Sequence, residues 1–174
     1  MQQNKHDKDG KCLAVGLEAE RQLALVAEKK KVSIRKSSRH DDMREHFDYH
    51  FDFKDKSKKV EIKAMKRLSR KGEPQDEWIW VEFKNVRGNK GWLYGSADLI
   101  SFEFKEYFLF VDRKELVQIS ESLINKEDIV KKPELAKYKV YHRWNRPNEL
   151  VGMINAADVK KVKNKMYWRK IEKI

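Results

Sequence analysis

Two acidic residues and a lysine stand at spacings that phosphate chemistry uses: Asp48 in the run His46 to Tyr49, and Glu61 and Lys63 in the run Val60 to Ala64. Hydrolysis of a phosphodiester at neutral pH is helped by a divalent cation on carboxylates, which polarises the phosphoryl oxygen and lowers the pKa of an attacking water. Carboxylate oxygens are hard donors that suit Mg²⁺ or Mn²⁺. A lysine two residues beyond a strand glutamate emerges on the same face, about 6 to 7 Å further along. There its charge can steady the water or the negative charge that develops at phosphorus. Ile62, between them, points to the opposite face, and its backbone carbonyl is a candidate further ligand.

Such a trio works only if the chain brings it together, and the surrounding alternation predicts that it does. From Phe47 to Phe53 the aromatic residues Phe47, Tyr49, Phe51 and Phe53 fall on one face of a strand, with Asp48, His50 and Asp52 on the other. Val60 to Met65 alternates again, Val60, Ile62 and Ala64 opposed to Glu61, Lys63 and Met65, after a polar connection at Lys54 to Lys58. A hairpin with its apolar faces on one side and an odd register sets Asp48, Glu61 and Lys63 together on the other. A second Glu-x-Lys, Glu82-Phe83-Lys84, also lies in an alternating segment and competes for the role, with Asp98 the nearest downstream acid in a strand-like context.

The order helix with acid, strand, strand with Asp, strand with Glu-x-Lys resembles the PD-(D/E)XK nuclease superfamily. The matching segments are Gly16 to Glu20, His46 to Tyr49 and Val60 to Ala64, and the resemblance spans roughly residues 13–112. Phe47 occupies the place of the proline in the family name. The resemblance implies a restriction-endonuclease-like core of helix, three strands, helix and strand. It also implies that Asp48 and Glu61 bind Mg²⁺ or Mn²⁺, that Lys63 supports the nucleophilic water, and that Glu20 joins the catalytic group from the first helix. A homodimer is the family-like way to cut both strands of a duplex.

The remaining elements read as a frame for this hairpin. Val15 to Lys31 has a broad apolar stripe and predicts a helix, Val32 to Lys36 a short strand, and Ser37 to Glu45 a loop. Arg67 to Glu77, with Gly72 and Pro74, reads as a loop, and Trp78 to Val86 as a third strand. Asn89 to Gly95 reads as a turn or a single helical turn. Two strands follow at Ala97 to Phe104 and Tyr107 to Asp112, then a helix at Arg113 to Asn125. A hairpin over Tyr138 to Trp144 and Leu150 to Ile154 comes next, and a basic closing helix over Ala156 to Lys170 with Asp158 near its start. The expected architecture is a single α+β (α/β) domain over 13–174, a central mixed sheet flanked by helices, behind a flexible basic tail at 1–12.

The 174 residues carry 40 Lys and Arg against 28 Asp and Glu, a formal charge of +12. That balance points to nucleic acid as partner, DNA favoured over RNA. Candidate substrate contacts are His46, Lys84, Arg87 and Trp92, the last three in a stretch mixing cations, glycine and aromatics. The closing segment adds Lys160, Lys161, Lys163, Lys165, Arg169 and Lys170, and Trp144 lies between Arg143 and Arg146 near a hairpin tip. His40, His46, His50, Asp41 and Asp42 lack a helical i, i+4 pairing and are not read as a metal site. Cys12 is the one cysteine, so no intrachain disulfide is expected, and without an apolar run near 18 residues neither is a membrane span. A cytoplasmic location is the expectation. Two further readings stay open: a non-catalytic nucleic-acid-binding or assembly protein, and a nuclease directed at RNA.

Overall fold

The computed structural model describes residues 11–38, 40, 45–54, 56–69 and 71–171. Most of the expected tail, and most of the expected loop before Glu45, lie outside these residues. The fold is α+β, and among the described residues ten strands form two mixed sheets. The first sheet has six strands in the order β1 (Ser33–Lys36), β2 (Tyr49–Phe53), β3 (Lys56–Lys63), β5 (Leu99–Glu103), β6 (Tyr107–Asp112) and β10 (Lys165–Arg169). The second has β4 (Trp78–Lys84), β9 (Leu150–Asn155), β8 (Lys139–Tyr141) and β7 (Asn125–Val130).

Each face of the six-stranded sheet has its own core because the side chains alternate. On one face Phe51, Val60, Phe108, Phe110 and Trp168 pack under the helix α1 (Lys11–Lys29), which buries Leu23, Val26 and Ala27. On the other, Ile100, Phe102, Leu109 and Val111 meet Ile79, Val81 and Phe83 of β4, together with Trp92, Leu93, and Leu116 of the helix α2 (Arg113–Leu123). Asp112 caps α2 by accepting from the Glu115 N–H at 3.0 Å. Such a cap contributes about 1 kcal/mol.

The hairpin of β2 and β3 is antiparallel, and Phe53 pairs with Lys56. β3 then pairs in parallel with β5, Glu61 opposite Ile100 and Lys63 opposite Phe102. Parallel neighbours need a crossover, and here residues 64–98 make it through the second sheet. The strand expected at Trp78 to Val86 therefore forms, but in the second sheet.

Two expectations are corrected. The closing helix stops after Ala156–Val159, and Lys165–Arg169 is a strand that pairs with β6, Trp168 opposite Phe108. Met166 and Trp168 face the α1 core while Lys165, Tyr167 and Arg169 face out, a period of two that outweighs the helical spacing of Val159, Val162 and Met166. Asp158 has its own partners, accepting from the Tyr138 hydroxyl at 2.6 Å and pairing with Lys161 at 2.6 Å. The second correction concerns Phe47, which leaves the face of Tyr49, Phe51 and Phe53 and joins the opposite core with Trp92. Phe47 lies outside the strand, which begins at Tyr49, so it is not bound by that alternation, and it follows His46 with its φ of +54°. Asn125–Val130 is a strand that the sequence reading left out. No helix among the described residues is long and apolar enough to cross a membrane.

Candidate active site

The ladder of β2 and β3 pairs Tyr49 with Val60, and Asp48, the residue just before the ladder, feels the charge of Glu61, the residue just after Val60. The register is the odd one that the trio requires. Asp48 is locked by three bonds: its N–H donates to the Val60 carbonyl at 2.9 Å, its carbonyl accepts from the Ser37 N–H at 2.8 Å, and its Oδ2 accepts from the Ile62 N–H at 2.6 Å. Ile62 thus contributes a backbone amide to the site, while its side chain packs into the α1 core.

Glu61 is buried, 6% exposed, and its Oε1 is ion-paired with the Lys63 ammonium. Its Oε2 is buried without a hydrogen-bond partner. Burial and the facing Glu61 charge push the Asp48 carboxyl up to about 8, against the Ile62 N–H and Lys63, which favour the carboxylate; Glu20 adds to the rise. Burial alone would lower Lys63, but the attraction and hydrogen bond of Glu61, with Asp48 and Glu82 behind them, leave it above its ordinary value. The ammonium lies 4.9 Å from the centre of the Trp92 ring, a cation-π contact.

Glu20 reaches the group from α1. It accepts from Lys36 Nζ at 2.9 Å and from the Tyr49 hydroxyl, and its charge is felt at Asp48. The sequence match of Glu20, Asp48, Glu61 and Lys63 thus corresponds to one electrostatically linked cluster. Glu82 belongs to it as well. On β4 it is raised to about 7 by burial, with Lys63 opposing and the charges of Glu149 and Glu61 reinforcing. The charges of both Glu61 and Glu82 act on Lys63. Lys84 points outward and is exposed.

Other candidates take different places. Trp92 is 6% exposed and packed in the core against Phe102, so its ring is closed to a nucleobase. Arg87 is exposed in the turn after β4. That turn folds back on Glu82, where a Cβ at Gly91 would lie 2.2 Å from the Glu82 carbonyl oxygen, so only glycine fits. His46 is half-buried against Gly95, whose added Cβ would meet it at 2.7 Å. His50 packs edge-on to Phe47, ring centres 5.0 Å apart. Asp98 accepts from the Lys59 N–H at 2.8 Å and serves the sheet. Gln75 uses its whole amide on backbone, donating to the Lys66 and Trp78 carbonyls and accepting from the Glu77 and Trp78 N–H groups. It shapes the cleft beside Lys63 that Lys66, Trp80 and Glu103 also line. Of the proposed histidine neighbourhood, Asp41 and Asp42 lie outside the described residues.

The donor set fits a small hard cation. Two facing carboxylates, one of them with an orphaned buried oxygen, are costly without a positive charge between them. Among the described residues no three His, Cys, Asp or Glu side chains gather around one point. Mg²⁺ is commonly held by one or two carboxylates, with water and substrate oxygens completing its shell. Comparison of the chain with protein-family models, curated proteins and solved structures found no match.

Proposed function

We propose that this chain is a divalent-cation-dependent nuclease of the PD-(D/E)XK kind, hydrolysing phosphodiester bonds of DNA in preference to RNA. The observation that carries the reading is the Asp48 carboxylate held on the Ile62 N–H beside the Glu61 charge, with the buried Glu61 Oε2 lacking a partner and Lys63 held on the other oxygen. The net charge of +12 supports a phosphate-bearing substrate.

Asp48 and Glu61 would hold Mg²⁺ or Mn²⁺, which when bound supplies Lewis acidity at the phosphoryl oxygen and a lower pKa for the attacking water. The chain's own residues set the geometry. The Ile62 N–H fixes one Asp48 oxygen and so orients the other. Lys63, held above its ordinary value, stays protonated at neutral pH and acts as a fixed cation and hydrogen-bond donor toward phosphate oxygen, not as a base. Glu61 restrains the ammonium by its ion pair, the charge of Glu82 also attracts it, and the Trp92 face limits its travel. The net reaction adds water across a P–O bond: its oxygen joins phosphorus, and the departing ester oxygen takes up a proton. Two copies of the chain would serve a duplex, one site for each strand.

The test compares the purified chain with Glu61→Gln and Lys63→Ala on plasmid, linear duplex, single-stranded DNA and RNA, with Mg²⁺, Mn²⁺ or EDTA. Cation-dependent cleavage lost in both variants is expected. Equal behaviour of all three proteins would refute catalysis at this site, and retained nucleic-acid binding would then favour a non-catalytic binding protein.

A further inference from the structure

Tryptophan has the largest apolar surface of any side chain and is usually well covered. In this chain Trp92 and Trp168 are buried and Trp78 and Trp80 half-buried, whereas Trp144 is 90% exposed. It stands on a tethered turn between β8 and β9. The Arg146 N–H donates to the Arg143 carbonyl at 2.8 Å, and the Glu149 N–H to the Arg146 carbonyl at 3.1 Å. Beneath the turn the buried Glu149 carboxylate pairs with Arg143 Nε at 3.5 Å and Arg146 Nη1 at 3.9 Å. The indole is thus displayed on a braced support, which lowers the ordering cost of using it.

The turn is next to the candidate active site. Glu82 feels the charges of Glu149 and Arg143 as well as that of Lys63. Lys84 on β4 pairs with Leu150 on β9, and a Cβ at Gly88 would lie 3.3 Å from the Asn148 Cβ, so the turn after β4 rests on the Trp144 turn. The exposed cations Lys84, Arg87 and Lys90 lie on the strand end and turn that meet the turn carrying the exposed ring. Cations that follow a backbone beside an aromatic platform are the means by which proteins hold single-stranded nucleic acid.

We propose that Trp144 stacks on an unpaired base, and that the substrate carries a single-stranded stretch beside the Lys63 site. The inference rests on the nucleic-acid reading above, but not on catalysis. In a continuous duplex each base face is covered by its neighbours, so the ring contributes only where bases are free. The test is binding by fluorescence anisotropy in EDTA, with the full chain and short labelled single-stranded DNA, single-stranded RNA of the same sequence, and duplex DNA. Trp144→Ala should weaken single-strand binding about tenfold while duplex binding stays unchanged, and Trp144→Phe should restore most of the loss. The DNA and RNA arms identify which strand is preferred. Quenching of tryptophan emission by the single strand should fall in Trp144→Phe. Unchanged single-strand affinity in Trp144→Ala, or an equal loss on duplex, overturns this inference alone. Absence of binding to any nucleic acid by the wild-type chain overturns the nucleic-acid reading with it.

Discussion

Replacing Asp48 by asparagine should make the cation-free protein more stable at alkaline pH, although it alters a residue of the candidate active site. Asparagine keeps an oxygen for the Ile62 N–H and removes the charge that faces Glu61. In the folded chain the Asp48 carboxyl is raised from 3.8 to about 8. A raised acid contributes stability that is fully present below its unfolded pKa and is lost as pH rises through the folded value. Each unit is about 1.4 kcal/mol, so between about pH 5.5 and about pH 8.5 Asp48 can account for at most roughly 3 kcal/mol. Relaxation around the carboxylate will reduce that, and a loss of about 1 to 2 kcal/mol is expected. Glu82, raised from 4.5 to about 7, adds a fall of the same sign over the lower part of the window. Urea unfolding in EDTA at the two pH values should show a steep loss for wild type and a shallower one for Asp48→Asn. Mn²⁺ should stabilise wild type at the higher pH and leave the variant nearly unmoved. A variant with the same pH slope as wild type would refute the claim that charge between Asp48 and Glu61 is stored in the fold.

Other outcomes follow from the same geometry. Because Asp48 must lose its proton to hold a cation, Mn²⁺ affinity by calorimetry should tighten as pH rises toward 8, by up to about tenfold per unit, with proton uptake by buffer; a flat profile would count against Asp48 as a ligand. Lys63→Ala should cut cleavage by about 100-fold or more while Mn²⁺ affinity holds, and an equal loss of both would mean that the lysine serves the fold. Trp168→Ala should cost about 3 to 5 kcal/mol in unfolding experiments, since Trp168 is buried against Phe51 and Phe110. A near-neutral effect would be inconsistent with a strand that closes the sheet.

The hairpin was legible because strong alternation runs through both of its strands, and an odd register was the one arrangement that buried Phe51 and Val60 together. Strands at Leu99–Glu103 and Tyr107–Asp112 and the helix after them were equally plain in their apolar spacing. The sequence gives no local sign that β4 belongs to a second sheet, because its partner β9 lies some seventy residues downstream. For the same reason the sequence could not show that Glu82 stands in a different sheet from Glu61 while its charge acts on the same lysine. Phe47 misled because the strand begins two residues after it, at Tyr49, a boundary that no pattern of polarity reveals. The final segment misled because Val159, Val162 and Met166 fit a helix as well as Met166 and Trp168 fit a strand, and only the open edge of β6 decides between them.

The chain leaves the six-stranded sheet at Lys63 and returns at Leu99. Asp48 and Glu61 belong wholly to the part before that departure, whereas Trp92, whose ring meets the lysine, and Glu82, whose charge acts on it, belong to the excursion. The site is therefore modular along the sequence. Changes within residues 64–98 can retune what meets the ammonium, and so what the site accepts, while the paired carboxylates keep their register.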